Sequence, residues 1–300
     1  MSVRKMRIVV TGCQGQVASS LVKRGELHPD LEIVTLGRPV IDFADTGLIM
    51  DAIMALRPDA IISAAAYTAV DRAETEPDLA ERINSVAPRE VGRAAAECNV
   101  PVIHLSTDYV FDGTKPSPYV ESDPTSPLGV YGCSKRKGEL AIAEATDNHV
   151  ILRTAWVYSP FGHNFLKTML RVAATKERID VVDDQIGNPT SALDLAEGII
   201  SIARSVVEKR EAQMRGVFHL AGTGHASWAD FAEHILSVSK EEGGPFARIG
   251  RIRTIDYSTL AKRPSNSWFS CQKSAEIYGI FMPDWKTSSA DIVIELLHRC

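Results

Sequence analysis

Short apolar runs alternate with longer segments of helical periodicity through the first half of the chain. The apolar runs read RIVVTG, EIVTL, DAIISAAA, VPVIHLST and HVILRTAWVY, and segments such as TGLIMDAIMALRP and PDLAERINSVAPREVGRAAAECN lie between them. Strands separated by helices of that length predict parallel crossover connections. The runs are apolar at most positions, as expected for strands that helices cover on both faces. The pattern therefore predicts an α/β fold with a doubly wound parallel sheet.

The regular alternation of predicted strands and helices ends at about Tyr158. Turn-rich stretches such as SPFGHN, DDQIGNPTS and KEEGGPFARIG then separate helical pieces such as SALDLAEGIISIARSVVEKR. We interpret this half as a smaller domain packed on the carboxyl ends of the strands. The segment GVFHLAG, residues 216–222, still has the pattern of a core strand. We therefore expect a first domain of residues 1–155, joined by a returning strand near 216–222, and a smaller, discontinuous domain within residues 156–300.

Composition is that of an ordinary globular protein. The chain has 300 residues, 45% of them hydrophobic, which is enough to bury a sizeable core. Lysine and arginine number 33 against 38 aspartate and glutamate residues, so the formal net charge is −5. This balance argues against a general affinity for nucleic acid or for an anionic membrane surface.

The sequence predicts neither a membrane span nor a secreted protein. No apolar run approaches the roughly 20 residues of a spanning helix, and the apolar part of MSVRKMRIVVTG is too short for a signal peptide. The five cysteines are odd in number and widely spaced, and no two of them form a CxxC pair. They are Cys13, Cys98, Cys133, Cys271 and Cys300. We therefore expect a cytoplasmic protein without a disulfide framework or a zinc site.

A glycine turn follows the first predicted strand. In RIVVTGCQGQVASSLVKRG, Gly12 and Gly15 separate this strand from a predicted helix, and Ala18 takes the third small position of the pattern T-G-x-x-G-x-x-A. Such a turn lets a pyrophosphate approach the backbone, while the helix N-terminus supplies N–H donors. The context of strand, turn and helix favours a Rossmann-like dinucleotide site, which includes Gln16 and Val17, over a tight structural turn.

The end of the second predicted strand bears on the choice of cofactor. In VTLGRPVIDFAD, Gly37 and Arg38 stand where an acidic residue would bond the ribose hydroxyls of NADH. An arginine can pair with the 2′-phosphate of NADPH instead. The sequence therefore favours NADPH and leaves NADH possible, and the structural alternative is that Arg38 is a solvated loop residue.

Tyr131 and Lys135 are candidates for proton transfer. They are four positions apart at the start of a predicted helix, so their side chains point the same way, and Thr107 ends the preceding strand at its carboxyl edge. Tyrosine has a pKa of about 10, which a nearby ammonium and an oxidised nicotinamide ring would lower. Thr107 could hydrogen-bond a substrate carbonyl beside Tyr131 and polarise it for hydride attack. The alternative is a pair of polar residues on a helix surface.

Further motifs extend along nearly the whole chain. They are VTGCQGQVA, AAAYTAVDRAE, INSVAP, STDYVFDG, YGCSKRKGE, LRTAWVYSPFGHNFLKTML, DDQIGNPTSALDLAEGI, GVFHLAG and KRPSNSWFSCQK. Together they resemble the extended short-chain dehydrogenase/reductases, and among these the dTDP-4-dehydrorhamnose reductase family. The resemblance implies reduction of the carbon-4 ketone of dTDP-4-dehydro-L-rhamnose by NADPH, with a second domain that binds the substrate. It also implies that Thr107, Tyr131 and Lys135 are catalytic and that Lys135 holds the nicotinamide ribose.

The same resemblance implies further binding residues. Those expected beside the cofactor, from the adenine to the central stretch, are Asp42, Phe43, Ala64, Ala65, Ala66 and Tyr67. Those expected beside the sugar nucleotide are Thr107, Asp108, Trp156, Asn164, Gln185 and Arg263. Three of these have structural alternatives, because Trp156 could fill the domain seam, Asn164 could cap a helix and Gln185 could belong to a turn. Arg263 suits the diphosphate, which needs a cationic partner.

The chain departs from the family pattern at three positions. Ala18 replaces the common third glycine, a change that still permits close packing of helix on strand. Trp268 and Phe269 stand where the family usually has leucine and aspartate, which affects a local wall of the second domain.

Two other function classes remain open. A nucleotide-sugar dehydratase or epimerase would share the fold, but dehydratases have an Asp-Glu pair after the active-site threonine, whereas Asp108 and Tyr109 follow Thr107 here. A regulatory subunit, like the reductase-like subunit that binds methionine adenosyltransferase in animals, would bind without turnover, and retention of Thr107, Tyr131 and Lys135 together argues against it. Another nucleotide-sugar 4-ketoreductase is a further alternative. The sequence predicts no metal ligand set and is compatible with a homodimer.

Overall fold

The computed structural model describes residues 4–298. Cys300, one of the five cysteines in the sequence, lies outside the described residues. Within them Cys13, Cys98, Cys133 and Cys271 are free thiols. None of the helices in residues 4–298 is long and apolar enough to cross a membrane.

Strands and helices alternate as the hydrophobic pattern predicts. The strands are β1 (Met6–Thr11), β2 (Leu31–Leu36), β3 (Ala60–Ser63), β4 (Val102–Thr107), β5 (His149–Thr154), β6 (Val157–Tyr158), β7 (Arg178–Val182), β8 (Ile186–Gly187), β9 (Thr190–Ser191), β10 (Gly216–His219), β11 (Ala226–Ser227), β12 (Arg248–Ile252) and β13 (Asn266–Ser267). The helices are α1 (Gln16–Gly25), α2 (Ile49–Ala55), α3 (Val70–Ala73), α4 (Pro77–Glu81), α5 (Ala87–Cys98), α6 (Val130–Ala145), α7 (Phe165–Ala173), α8 (Ala192–Glu208), α9 (Trp228–Glu241), α10 (Gln272–Tyr278) and α11 (Trp285–Leu297). A π-helical turn, Arg82–Val86, joins α4 to α5.

A six-stranded sheet forms the centre of the fold, with strand order β10-β5-β4-β3-β1-β2. Every neighbouring pair in it is parallel. The order reverses between β1 and β3, because the chain winds outward to β2 on one side and to β4, β5 and β10 on the other. Ligands of such sheets bind beyond the carboxyl ends of the strands at this switch point. The predicted α/β fold with a doubly wound parallel sheet is confirmed.

Helices cover both faces of the sheet, which explains the unbroken apolar runs. Ile8 and Val10 of β1 are buried in one apolar cluster with residues of α1 and α8. Val9, between them, is buried in another cluster with residues of α2 and α5. Successive side chains of a strand point to opposite faces, so an apolar residue at each position is needed when both faces are covered.

Part of the second half of the chain belongs to these sheet layers. Strand β10 pairs with β5, with Phe218 opposite Leu152. Helix α8 packs on the face that α1 covers, where Ile199 and Ile202 are fully buried. The sheet therefore takes a helix as well as a strand from residues 156–300, and the division at residue 155 stays a prediction.

A separate apolar cluster joins α7, α9 and α11 with β7. Phe231 of α9 is fully buried in it, and β7 pairs with β12 in a two-stranded parallel sheet. Each of the three helices begins after a residue whose side-chain oxygen accepts a backbone hydrogen bond, namely Asn164, Ser227 and Asp284. Such caps end the preceding loops at defined positions, which fixes the loops that lead to the sheet edge.

Candidate active site

The glycine turn lies at the carboxyl end of β1, next to the switch point. Gly12 has a φ of +90°, a conformation that favours glycine, and its N–H donates to the last carbonyl of β2 at 2.7 Å. Thr11 Oγ1 accepts hydrogen bonds from the N–H groups of Ala64 and Ala65, both at 2.9 Å. The loop after β3, which continues to Ala66, is therefore tied against the glycine turn.

Gly15 precedes α1 and leaves the N-terminus of this helix open. It has φ −70° and ψ 155°, and no side chain caps the first turn. A Cβ added to Gly15 would meet no atom within 4 Å apart from its chain neighbours. The N–H groups of the first turn, with Gln16 and Val17 among its residues, are donors that a helix offers to an anion. The turn thus has the space and polarity that a pyrophosphate requires.

The side chains of Gln16 and Asn164 join the two halves of the chain. Gln16 Nε2 donates to the carbonyl of Val157 at 3.2 Å, and Gln16 Oε1 accepts from Ser159 Oγ at 2.8 Å and from Asn164 Nδ2 at 3.0 Å. Asn164 Oδ1 also accepts from the N–H of Lys167 at 3.1 Å and so caps α7. The cap expected as an alternative for Asn164 is therefore present, and a contact of Asn164 with substrate stays a prediction.

Arg38 and Asp42 are exposed beyond β2, whereas Phe43 is not. Arg38 directly follows Gly37, which packs on the glycine turn, since a Cβ at Gly37 would lie 2.9 Å from Cys13 Sγ. Asp42 accepts a local backbone hydrogen bond at 3.0 Å. Phe43 is only 7% exposed and belongs to the apolar cluster under α2. Arg38 and Asp42 are thus accessible to a ligand, and Phe43 offers it little surface.

Asn84 connects the loop after β3 with α6. It lies in the π-helical turn, where its Oδ1 accepts from the N–H of Tyr67 at 2.8 Å. Its Nδ2 donates to the Tyr67 carbonyl at 3.1 Å and to Ser134 Oγ at 3.0 Å. The Tyr67 hydroxyl itself donates to Glu76 Oε2 at 2.6 Å. Sequence reasoning misses Asn84 as a site residue, and the available signal is its place in the motif INSVAP.

Thr107, Tyr131 and Lys135 come together at the carboxyl end of β4. Tyr131 lies in the first turn of α6 and Lys135 one turn later on the same face. Lys135 is 3% exposed, and its Nζ donates to the Leu105 carbonyl at 2.6 Å. The Thr107 hydroxyl hydrogen-bonds Tyr131 and donates to Asp108 Oδ1 at 2.9 Å. The two residues of YxxxK therefore form a cluster with Thr107 rather than a surface pair.

Burial dominates the ionisation of this pair. It raises the pKa of Tyr131 to about 12, with the Asp108 charge acting in the same direction and the Thr107 hydrogen bond against it. It lowers the pKa of Lys135 to about 8, against the negative charge of Glu139. At neutral pH Tyr131 is thus a protonated donor and Lys135 is mostly charged. The pKa of Tyr131 is thus raised, whereas a fall is expected beside a lysine ammonium and an oxidised nicotinamide ring. That fall stays a prediction for the complex with the cofactor.

Asp108 and Arg263 have polar atoms left over for a ligand. Burial raises the pKa of Asp108 to about 6, against hydrogen bonds from Ser267 and Thr107. Arg263 Nη2 donates to Asp71 Oδ2 at 2.7 Å. Within residues 4–298, Asp108 Oδ2 and Arg263 Nη1 are buried without a hydrogen-bond partner. A buried donor of this kind is costly unless something binds to it, which favours a ligand or water at Arg263.

Trp156 lies between β5 and β6 in a strained conformation. Its φ is +48°, which is rare for a bulky residue. Its ring stacks on Trp228 with centroids 3.6 Å apart and an angle of 8° between the planes. Gly187 leaves room for the ring, because a Cβ there would lie 2.5 Å from it. Backbone strain of this kind clusters at functional sites, which favours a binding role over simple filling of the seam.

Gln185 and two of the three departures from the family pattern, Trp268 and Phe269, have structural contacts. Gln185 is 6% exposed, and its Nε2 donates to Thr254 Oγ1 at 3.0 Å, so it supports the loop after β12. Phe269 stacks on His219 with ring centroids 4.1 Å apart. Trp268 lies beside the ring of His225 at 4.2 Å. Aromatic packing thus accommodates the replacement of the usual leucine and aspartate.

Acidic side chains near the cluster form ion pairs. Asp71 pairs with Arg263, and Glu139 of α6 pairs with Arg153 of β5 at 2.8 Å. In the part of the chain that the structure describes, no group of three or more His, Cys, Asp and Glu side chains could hold a metal ion. Glu139 is a further residue that sequence reasoning misses, since a glutamate on a helix ordinarily faces solvent.

Comparison with known proteins relates the chain to one family of enzymes. The family model described as RmlD substrate binding domain matches residues 6–298. The chain is 48% identical over 292 residues to a dTDP-4-dehydrorhamnose reductase of Sinorhizobium fredii, which covers 97% of this chain and 98% of that protein. It is 33% identical over 294 residues to the spore coat polysaccharide biosynthesis protein SpsK of Bacillus subtilis, with coverage of 98% and 99%. The crystal structure of dTDP-4-dehydrorhamnose reductase from Bacillus anthracis in complex with NADP has a TM-score of 0.88 and 33% identity, and covers 97% of this chain and 99% of that one.

Proposed function

Since the chain belongs to the RmlD substrate binding domain family, we propose that the protein is an NADPH-dependent oxidoreductase that reduces the 4-keto group of dTDP-4-dehydro-L-rhamnose. The product is dTDP-L-rhamnose, a precursor of cell-surface polysaccharides. The reductase of Sinorhizobium fredii and the NADP complex from Bacillus anthracis support this reaction and cofactor. The observation that supports it most directly is the cluster of Thr107, Tyr131 and Lys135 at the sheet edge that also carries the glycine turn.

The residues present fit a dinucleotide with a 2′-phosphate. The open N-terminus of α1 after Gly15 suits the pyrophosphate, because backbone N–H groups and the helix dipole favour an anion there. The exposed guanidinium of Arg38 suits the 2′-phosphate. The loop of Ala64, Ala65, Ala66 and Tyr67, tied to β1, is proposed to line the central part of the cofactor.

Residues of the chain itself then supply the proton that the reduction requires. NADPH, when bound, supplies the hydride that the carbonyl carbon accepts. Thr107 and Tyr131 present neighbouring hydroxyls to the carbonyl oxygen, and Thr107 donates to it when its one proton turns away from Asp108 Oδ1. Tyr131 gives that oxygen its proton, and its raised pKa keeps the phenol protonated until then. The Lys135 ammonium stabilises the phenolate that remains and is proposed to hold the nicotinamide ribose.

The substrate side is proposed on the same geometry. Arg263 has one donor paired with Asp71 and a second, buried donor for a diphosphate oxygen. Trp156 offers a fixed ring to the deoxysugar. The expected contacts of Asp108, Asn164 and Gln185 with substrate stay predictions, as do the homodimer and the cytoplasmic location.

Substitution of Gly15 by alanine tests the phosphate site. The backbone angles of Gly15 suit alanine and no atom crowds the new Cβ, so we expect the free energy of unfolding to change by less than about 0.5 kcal/mol. The methyl group would occupy the space into which the pyrophosphate fits, so NADPH should bind about tenfold more weakly or worse. Thermal unfolding and a fluorescence titration with NADPH measure the two effects. Unchanged NADPH affinity would place the pyrophosphate elsewhere.

Substitution of Arg38 by alanine tests the choice of cofactor. A hydrogen bond to a charged group contributes about 1.5 to 3 kcal/mol, so NADPH affinity should fall about ten- to a hundredfold. NADH affinity should hardly change, because NADH lacks the 2′-phosphate. Arg89→Ala, at an exposed position of α5, is the matched control. An equal loss for both cofactors would mean that Arg38 supports the loop or stacks on adenine.

One assay separates the proposed reaction from its alternatives. Purified protein is given NADPH, first alone and then with dTDP-4-dehydro-L-rhamnose or other 4-keto sugar nucleotides, while the absorbance of reduced nicotinamide is followed. Consumption that depends on the dTDP-4-dehydro-L-rhamnose supports the proposal, and consumption with a different sugar nucleotide only would indicate another 4-ketoreductase. Binding of NADPH without consumption would indicate a regulatory subunit.

A dehydratase is the less favoured alternative for a structural reason as well. Tyr109, at the position of the glutamate that elimination requires, packs edge to face on Tyr131 with ring centroids 5.4 Å apart. Burial raises the pKa of Tyr109 well above its usual range. A phenol held protonated in this way cannot serve as the base for elimination at neutral pH.

A further inference from the structure

A carboxylate without solvent contact lies behind the catalytic cluster. Glu139 of α6 is 0% exposed. Its Oε1 accepts from Ser106 Oγ at 2.5 Å and from Arg153 Nε at 2.9 Å, and its Oε2 accepts from Arg153 Nη2 at 2.8 Å and from Arg136 Nη1 at 3.0 Å. Arg153 is itself buried on β5. Such a group is costly to desolvate, so its hydrogen bonds must be complete, and here four donors satisfy it.

Glu139 continues the stripe that Tyr131 and Lys135 form. The three residues follow one another at intervals of four on α6, so they lie on one face of the helix. On β4, Ser106 lies between Leu105, whose carbonyl accepts from Lys135, and Thr107. Two successive contacts, Lys135 with Leu105 and Glu139 with Ser106, therefore fix α6 against the end of β4 on which Thr107 sits.

The charge of Glu139 also acts on Lys135. Desolvation lowers the pKa of Lys135 to about 8, and the negative charge of Glu139 raises it against that effect. The titratable and charged groups on the elements packed at this lysine are Tyr131, Arg136 and Glu139 on α6, His104 on β4 and Arg153 on β5. Glu74, in the loop before α4, accepts from the N–H of Val130 at the start of α6. Burial holds the pKa of His104 well below its ordinary value, so this imidazole is neutral. Glu139 is thus the acidic residue on the face of α6 that carries Tyr131 and Lys135.

We propose that Glu139 is a positioning residue for the reduction, which holds the Lys135 ammonium in its charged form and fixes Ser106 so that Thr107 and Tyr131 can bind one carbonyl oxygen. The proposal rests on the proposed function, since it assigns Glu139 a part in that reaction. A purely structural ion pair with Arg153 is the alternative. A buried ion pair does not by itself show that the pair stabilises the fold, because well-packed apolar residues often replace such pairs without loss of stability.

Two substitutions break the Glu139–Arg153 pair from opposite ends. Glu139→Gln removes the negative charge beside Lys135, so the pKa of Lys135 should fall by about one unit, as is typical for a nearby charge. Turnover at pH 8 should then drop about fivefold, since the charged fraction of a lysine with a pKa of about 8 goes from about half to about a tenth. Arg153→Met leaves the carboxylate in place. It should destabilise the fold in a comparable way without moving the alkaline limb of the pH profile to lower pH.

A titration of NADPH binding against pH keeps this test independent of turnover. In Glu139→Gln we expect the loss of NADPH affinity at alkaline pH to begin about one pH unit lower than in the unmodified protein. Glu144→Gln, the same change at an exposed position of α6, should leave the onset of this loss where it is in the unmodified protein. If the unmodified protein binds NADPH and reduces no sugar nucleotide, the proposed function fails on its own. If Glu139→Gln and Arg153→Met unfold at similarly lowered temperatures and both keep the wild-type pH profile, Glu139 is only structural and the positioning role is overturned.

Ser106→Ala keeps the proposal testable even if Glu139→Gln does not fold. It removes only the hydroxyl that Glu139 holds. We expect kcat to fall about tenfold, the worth of a hydrogen bond to a charged group, while NADPH affinity and its pH dependence stay as in the unmodified protein. An unchanged kcat would show that the contact does not align Thr107 with Tyr131, and would overturn that part of the proposal.

Discussion

Tyr131→Phe is expected to lower kcat by about 10² to 10⁴-fold while NADPH binds almost as before. The substitution deletes the proton donor but keeps the ring, which packs edge to face on Tyr109. The lost oxygen also ends the hydrogen bond with Thr107, so the carbonyl oxygen would lose one of its two donors. Steady-state kinetics and a fluorescence titration with NADPH measure the two quantities separately.

The control for this substitution is Tyr257→Phe. Tyr257 is 54% exposed, so loss of its hydroxyl should leave kcat within about twofold. A Tyr131→Phe enzyme that keeps wild-type turnover would contradict the assignment of Tyr131 as the proton donor. Loss of NADPH binding in the same enzyme would mean that the hydroxyl serves the cofactor instead.

Lys135→Met is expected to harm cofactor affinity and turnover together. Lys135 is assigned two tasks, to hold the nicotinamide ribose and to stabilise the phenolate of Tyr131, so kcat/KM should fall by about a hundredfold or more. The pKa of Lys135 is about 8, so the ammonium that both tasks need is present below this pH and is lost above it. The alkaline limb near pH 8 should therefore disappear from the residual activity, and the pH optimum should move upward.

Lys137→Met is the matched control for Lys135. Lys137 lies on the same helix, is 58% exposed and pairs with Glu81 at 2.8 Å. Exposed pairs contribute little, so its loss should cost less than about 1 kcal/mol of stability and leave the pH profile intact. A Lys135→Met enzyme that is still active with the wild-type alkaline limb would show that another group is responsible for it.

The sheet and the cluster of Thr107, Tyr131 and Lys135 could be predicted from the sequence because their signals are local. A strand covered on both faces needs apolar residues at successive positions, and β1, β3, β4 and β5 all show such runs. Helical spacing places Tyr131 and Lys135 on one face, and the carboxyl ends of parallel strands share one edge. These two facts suffice to bring Thr107 close to Tyr131.

Glu139 and Asn84 could not be found in this way, because their environment depends on distant parts of the chain. Glu139 is buried only because Arg153 on β5 and Ser106 on β4 face α6 at the same level. Asn84 lies in a π-helical turn whose extra residue has no local sequence signal. Both residues are polar and helical, which in a sequence is typical of a solvated face.

Asn164 and Gln16 show a different limit. An amide that caps a helix and one that binds a sugar have the same donors and acceptors, so the residue type does not separate the two roles. The structure places Asn164 at the start of α7 and joins it to Gln16 at 3.0 Å. The two amides therefore hold the second half of the chain against α1, whatever ligand contacts they also make.

Transfer of deuterium from NADPH labelled at carbon 4 of its nicotinamide tests the central claim most directly. The protein is incubated with dTDP-4-dehydro-L-rhamnose and with the 4R- or the 4S-labelled cofactor, and the product is analysed by mass spectrometry and NMR. We predict that one of the two labelled forms yields dTDP-L-rhamnose with deuterium at carbon 4 of the sugar, and that Tyr131→Phe yields the same product far more slowly. A product without deuterium at that carbon from either form, or an unchanged 4-keto sugar, would contradict the account.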